Sequence, residues 1–311
     1  MPLFDAYIFV DWSAVNVVQP QQETHNAVWS GESIPQINYR LEKYHPTRLE
    51  DFIHVTEFLV EQVKQKRRVL LGFDFPYGYP SGFAKALNHS TGAQSWWKIW
   101  EELAWRIEDA PNNQNNRFIV AADLNEIAGD GQDGPFWGCP VGVNLVNLQP
   151  IAPGFPFSAT DGVSLQKYRL VEMRLTGVQE TWGLFGAGRV GSQTLVGLPY
   201  LYKLRKHPEL EMCSHVWPFE TQFTKEPSVN KGPFIMHAEI WPGIANERVQ
   251  TLMEDEEYLI RDKAQVRAMC EWAAELDAQD ALGDYFAQPS ELTSKEIQAC
   301  IEEEGWILGA S

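Results

Sequence analysis

The chain has 311 residues, 44% of them hydrophobic, enough to enclose a sizeable core in one large domain or two modest ones. Its formal net charge of −17 repels polyanions at long range and disfavours extended, non-specific binding to DNA, which depends on Lys and Arg neutralising phosphates. No apolar run reaches membrane-spanning length, and "MPLFDAYIFVDWSA" lacks the basic region, long apolar core and small-residue cleavage site of a secretory leader. The four cysteines, Cys139, Cys213, Cys270 and Cys300, are too widely spaced for a zinc knuckle or a CxxC pair. Free thiols in a reducing, cytoplasmic setting with no membrane attachment are therefore expected.

In chain order, "AYIFVDWSA" is an apolar run that predicts a buried strand ending at Asp11. "NAVWSGE" and "INYRLEKYH" predict two short strands that form an antiparallel meander with it. "HPTRLEDFIHVTEFLVEQVKQKRR" predicts a helix with Pro46 near its first turn and Leu49, Phe52, Ile53, Phe58, Leu59 and Val63 along one face. "RVLLGFDFP" predicts a second buried strand, again ending in an acid, Asp74, and "YGYPSG" is turn chemistry. "AQSWWKIWEELAWRIED" predicts an amphipathic helix whose tryptophans Trp96, Trp97, Trp100 and Trp105 suit core packing better than base stacking.

After the polar break "APNNQNN" the chain is loop-rich to about Ser164, and residues from about 110 to 230 are expected to form an insertion or lid within a single 1–311 domain. Within it, "DLNEIAGDGQDG" fails as a calcium loop because Ile127 and Ala128 stand where a polar ligand and the glycine are needed. "GAGRVGS" has GxGxxG spacing before a helix, but "ETWGLF" is a poor strand to precede it. Glycines that allow close backbone packing are the better reading. "SHVWPFE" and "FIMHAEIWP" predict strands carrying Glu220 and Glu239. A long helix is expected from Lys263 to Phe286, and a short one near residues 294–303.

The long helix raises the first chemical question. Stepping about 100° per residue places Val266, Met269, Cys270, Ala273, Ala274, Leu276 and Ala281 on one apolar arc, and Asp277 and Asp280 fall inside it. Neighbouring carboxylates at a core edge repel, so they call for basic partners, protonation or a hard cation. Asp277→Asn is accordingly expected to stabilise the metal-free chain. Asp11 and Asp74, each at the C-terminal end of an apolar strand, lie where open α/β sheets build sites. Together the four acids could hold a pair of Mg²⁺ or Mn²⁺ ions for phosphodiester hydrolysis.

The order of these motifs resembles the ribonuclease H-like superfamily, in which a mixed sheet flanked by helices and a C-terminal helix carry a carboxylate cluster. "VDWSA", "LGFDFPYGYP" and "AEIWPG" are similar to the strand motifs of uncharacterised, predicted nucleases of that superfamily, and "DAQDAL" resembles the C-terminal helix of RuvC-type resolvases. The resemblance implies catalytic Asp11, Asp74, Asp277 and Asp280, with Asp11, Asp74 and Asp280 as metal ligands. Glu239 would be an accessory ligand and Glu220 a weaker candidate. It implies a divalent-metal-dependent nuclease or phosphodiesterase on this α/β fold, with a long insertion. Lys167, Arg169, Arg189 and Lys263 are candidates to meet the phosphates of a short or structured nucleic acid or a nucleotide-like anion. Two other readings share the fold. One is an actin-like phosphotransferase, disfavoured by the glycine-free "DWSAVNVV". The other is a binding protein without catalysis.

Overall fold

The computed structural model describes residues 2–227 and 232–310. The first half runs β1 (Ala6–Asp11), β2 (Val28–Ile34), β3 (Tyr39–His45), α1 (Arg48–Lys64), β4 (Arg68–Phe73), α2 (Phe83–Ala86), α3 (Ser95–Arg106) and α4 (Arg117–Ala128). The second half runs β5 (Phe157–Ser158), β6 (Ser164–Leu165), α5 (Gly191–Arg205), β7 (Ser214–Val216), β8 (Phe234–Glu239), α6 (Asn246–Leu252), α7 (Arg261–Ala278), α8 (Leu282–Phe286) and α9 (Ser294–Ala299).

β1 is apolar throughout because both of its faces are covered. Ala6, Ile8 and Val10 point into one core layer, while Tyr7 and Phe9 point into the other. The same alternation divides β4, with Val69, Leu71 and Phe73 on the first side and Leu70 on the second. The result is an α/β protein built on a six-stranded mixed sheet of order β3-β2-β1-β4-β8-β7. β1, β2 and β3 form the expected antiparallel meander. β1 and β4 are parallel neighbours, as their two acid-ended apolar runs predict, and β8 and β7 continue in parallel. α1, α3 and α5 fill the first layer with residues such as Leu59, Trp100 and Leu198, and α7 covers the second with Ala264, Ala268, Met269 and Ala273.

The structure departs from the sequence expectations in three places. Residues 117–128, expected as loop, form α4. Its buried positions do share one face, but that face includes Arg117 and Asn125 while Ile119 is exposed, so no apolar stripe marks the helix in the sequence. Residues 263–286 are not one helix: α7 stops at Ala278, and Asp280 adopts a left-handed backbone (φ 62°), which aspartate tolerates better than most residues. The segment 110–230 supplies α5, packed on α3, and the edge strand β7, so part of it belongs to the main core. Its residues 228–230 lie outside the described residues. Of the glycines of "GAGRVGS", Gly191 serves close packing, since a Cβ there would sit 2.4 Å from the Thr181 carbonyl oxygen, whereas Gly186 (φ 123°) and Gly188 (φ 72°) supply left-handed backbone. Among the described residues no helix is long and apolar enough to cross a membrane.

α7 approaches the sheet closely because β2 offers it a glycine. A Cβ on Gly31 would lie 2.8 Å from the backbone carbonyl oxygen of Val266. Gly31→Ala should therefore push α7 outward and lower stability by about 1–3 kcal/mol. Urea unfolding tests this: the midpoint should fall, and an unchanged midpoint would mean that α7 is not seated on β2 as described.

Candidate carboxylate site

Two acids reach the same sheet edge because their strands are parallel and in register, Val10 opposite Phe73. Asp11 closes β1, and Asp74 follows β4 directly. The junction is fixed by backbone: the Asp74 N–H donates to the Val10 carbonyl (3.2 Å), and the Trp12 N–H donates to Asp74 Oδ1 (2.7 Å). A third acid, Asp262, arrives from the first turn of α7. Its Oδ2 accepts the N–H of Asn26 (2.8 Å), which ties α7 to the loop between β1 and β2. Asn26 has a left-handed backbone (φ 58°), and its carbonyl accepts from the Ser13 hydroxyl (2.5 Å), so this loop is pinned at both ends.

The three carboxylates are half-buried and act on one another. Burial, followed by the charges of Asp74 and Asp262, holds the Asp11 carboxyl well above the usual carboxylate range, against the opposing charge of Arg261. Burial pushes Asp74 up to about 7; the Trp12 N–H works against this and the Asp262 charge reinforces it. Burial also raises Asp262, opposed by the Asn26 N–H and by the charges of His25 and Arg261. Among the described residues no salt bridge pairs any of the three with a basic side chain. Confined like charges of this kind are relieved by a proton or by a bound cation.

The other expected site residues lie elsewhere. Asp277 is on α7 but fifteen residues beyond Asp262, about 22 Å along the helix. There its Oδ1 accepts the Leu3 N–H (2.6 Å), and its Oδ2 accepts the Phe4 N–H (2.8 Å) and the Tyr7 hydroxyl (2.6 Å). It clasps the beginning of β1, at the sheet edge opposite Asp11. Asp280 follows at that same end, its N–H bonded to the Asp277 carbonyl (3.1 Å). The structure thus does not bring Asp277 or Asp280 to Asp11 and Asp74, and the expected stabilisation by Asp277→Asn changes sign.

Glu239 does end β8 beside Phe73, on the correct edge, yet it is buried and occupied. Arg169 donates to it from Nη2 to Oε1 (2.6 Å) and from Nη1 to Oε2 (2.8 Å), and the Tyr77 N–H adds a third bond (2.9 Å). Arg169, expected at a substrate phosphate, is itself fully buried in this pair and in a second one with Glu172. Arg189 is committed to Glu180 (2.9 Å) and lies over the Trp137 ring. Lys167 lies over Tyr168, and Lys263 is turned toward Trp29 and Tyr258. Glu220 pairs with Arg205 and accepts the Val216 N–H. Arg261 acts on both Asp11 and Asp262, and His25 on Asp262; Arg261 is exposed and donates to Asn246 Oδ1 (3.2 Å).

Asp262 is the acid that sequence reasoning passed over. The signal was present in "RDKAQV", an acid in the first turn of the helix that packs on β1, once the helix is known to run antiparallel to that strand. Among the described residues no group of three or more His, Cys, Asp or Glu side chains is arranged to hold a metal ion. The donor chemistry still suits a hard cation of the Mg²⁺ type, which keeps several waters and uses only one or two carboxylates. Comparisons with protein-family models, curated proteins and solved structures gave no match.

Two outcomes follow. Asp277→Asn should destabilise the protein by about 2 kcal/mol, because three donors lose a charged acceptor in a buried setting. Thermal unfolding would show it, and an unchanged or higher Tm would restore the repulsion reading. Asp74 binds its proton more tightly when folded, at about 7 against 3.8 unfolded. Its contribution to stability is thus complete below pH 4 and is lost as pH rises through 7. Asp74→Asn should flatten that part of the profile, gaining Tm relative to the parent between pH 5 and 8. Parallel profiles would place Asp74 in a solvated, uncoupled setting.

Proposed function

We propose that the protein is a divalent-metal-dependent hydrolase of phosphodiesters, acting on a short nucleic acid or a nucleotide-like anion, on a ribonuclease H-like fold. The observation that carries this reading is the placement of Asp11 and Asp74 at the C-terminal edge of neighbouring parallel strands, with Asp262 in the first turn of α7 tied to the loop that follows β1. The sheet order supports it too: an antiparallel meander leads into parallel strands, and a helix from the C-terminal part of the chain delivers the third acid.

Asp11 and Asp74 would hold a Mg²⁺ or Mn²⁺ ion, with Asp262 beside them. The bound ion would supply Lewis-acid stabilisation of charge developing on the phosphoryl oxygens. The protein's own contribution is orientation. The Trp12 N–H fixes Asp74, and the Asn26 N–H fixes Asp262. Arg261, exposed at the same helix start, is placed to attract a phosphate toward the acids. Arg169 is buried in an internal pair and Arg189 is committed to Glu180, which leaves few basic groups to follow a long backbone, and the net charge of −17 opposes one. Short substrates and a weak dependence of binding on salt follow from this.

The test is a panel of single-stranded, duplex, branched and hybrid nucleic acids plus a chromogenic diester, assayed with Mg²⁺ or Mn²⁺. Asp11→Asn, Asp74→Asn and Asp262→Asn should each lower kcat by roughly 100-fold or more, with little change in KM. Asp277→Asn should keep its activity per folded molecule. Full activity in the first three variants would place the chemistry elsewhere, and inactivity of the parent on every substrate would favour a binding protein.

A further inference from the structure

We propose that His45 and Asp51 share a single proton beneath α1, which makes the seating of α1 on β2 and β3 a pH-sensitive latch. Both side chains are enclosed: His45 is 2% exposed, and Asp51 has no exposed surface. Asp51, in the first turn of α1, places Oδ1 3.4 Å from Nε2 of His45 at the end of β3. Among the described residues neither Asp51 side-chain oxygen accepts a hydrogen bond. The Ser30 hydroxyl of β2 lies 2.9 Å from the same His45 nitrogen. Strand pairing gathers these groups on one face, because Val28 stands opposite His45 and Ser30 opposite Lys43, and side chains alternate along each strand.

Proton counting defines the state of the pair. With no proton, Asp51 is a buried carboxylate without a donor; with two, His45 is a buried cation without a counter-charge. One proton leaves the pair neutral. Burial acts in that sense on each partner. It raises Asp51 well above the usual carboxylate range, reinforced by the charge of Glu32 and opposed by Lys43. It lowers His45 to about 3, reinforced by His54 and Lys43. The other groups facing the pair are engaged elsewhere. Glu32 of β2 meets His54 Nε2 of α1 (2.5 Å) and accepts the Tyr39 hydroxyl (2.6 Å). Lys43 of β3 lies 3.0 Å from His54 Nδ1, and the Tyr200 hydroxyl of α5 donates to Asp109 (2.9 Å).

In the unfolded chain the two groups titrate near their ordinary values of 3.8 and 6.5, so between those values they also hold one proton. In that window the pair adds no pH dependence. Above 6.5 the unfolded pair holds none, and stability is lost as pH rises until the folded pair releases its proton. Below 3.8 the unfolded pair holds two, and stability is lost as pH falls. Each unbalanced proton changes the folding constant about tenfold per pH unit. The latch bears on the loop after β1, because Arg48 at the start of α1 donates from Nη1 to the carbonyls of Ser13 (3.0 Å) and Val15 (2.7 Å).

Thermal unfolding of the intact chain from about pH 4.5 to 6.5, with Asp51→Asn and His45→Gln alongside, tests this by the sign of two drifts. Asp51→Asn leaves a buried neutral histidine whose unfolded form takes up a proton below 6.5, so its Tm should rise relative to the parent as pH rises. His45→Gln leaves a lone buried carboxyl whose unfolded form gives up its proton above 3.8, so its Tm should fall relative to the parent over the same range. A pair that merely packs would shift each profile without changing its shape, and a profile parallel to the parent in either variant would overturn the inference. Where a variant does not fold, ¹⁵N nuclear magnetic resonance of the His45 ring in the parent decides. No midpoint between about 6 and 7 is expected, and an ordinary histidine midpoint there would equally overturn it.

Discussion

The seating of α7 against β1 and β2 is the constraint on which the candidate site depends. Small residues on the inner face of α7, Ala264, Ala268 and Ala273, let it lie close to the sheet, and Gly31 removes the side chain that would hold it off. Because α7 runs antiparallel to β1, its two ends meet opposite sheet edges. Asp277 at one end binds the start of β1 through three hydrogen bonds, and Asp262 at the other comes up beside Asp11 and Asp74. A single helix thus both anchors the chain's beginning and completes the acidic edge.

The acids near the sheet fall into two physical kinds. Asp277 and Glu239 are buried with donors on both oxygens, and each therefore works as a structural tie. Asp11, Asp74 and Asp262 are half-buried, raised in pKa, and facing one another's charge. An unfavourable arrangement of this second kind is unlike ordinary packing, and perturbed titration of this sort gathers at functional sites. The buried Arg169 belongs with the first kind: it pairs with Glu239, while among the described residues no arginine forms an ion pair with any of the three aspartates.

Much of the fold could be read from the chain because local patterns are strong there. Asp11 and Asp74 stood out since each ends an apolar run, and parallel pairing of those runs places both at one edge. Asp277 was rightly seen on the buried arc of its helix, but periodicity says nothing about which sheet edge a helix end reaches, so its partners Leu3, Phe4 and Tyr7 were not foreseen. Asp262 was hidden for the same reason. Glu239 and Arg169 lie seventy residues apart, and no local rule pairs residues at that range. The helix at 117–128 escaped notice because its buried stripe includes the polar Arg117 and Asn125 while Ile119 faces outward, and the break at Asp280 because aspartate is compatible with either conformation.

Direct titration of the carboxyl carbons by ¹³C nuclear magnetic resonance, on the metal-free protein and on Asp11→Asn, tests the coupled acidic edge most closely. Asp74 should titrate near 7, its midpoint should move when Asp11 or Asp262 is neutralised, and added Mg²⁺ should pull it down. Midpoints near 4 for all three acids, unmoved by Asp11→Asn and by Mg²⁺, would show three independent surface carboxylates and contradict the site.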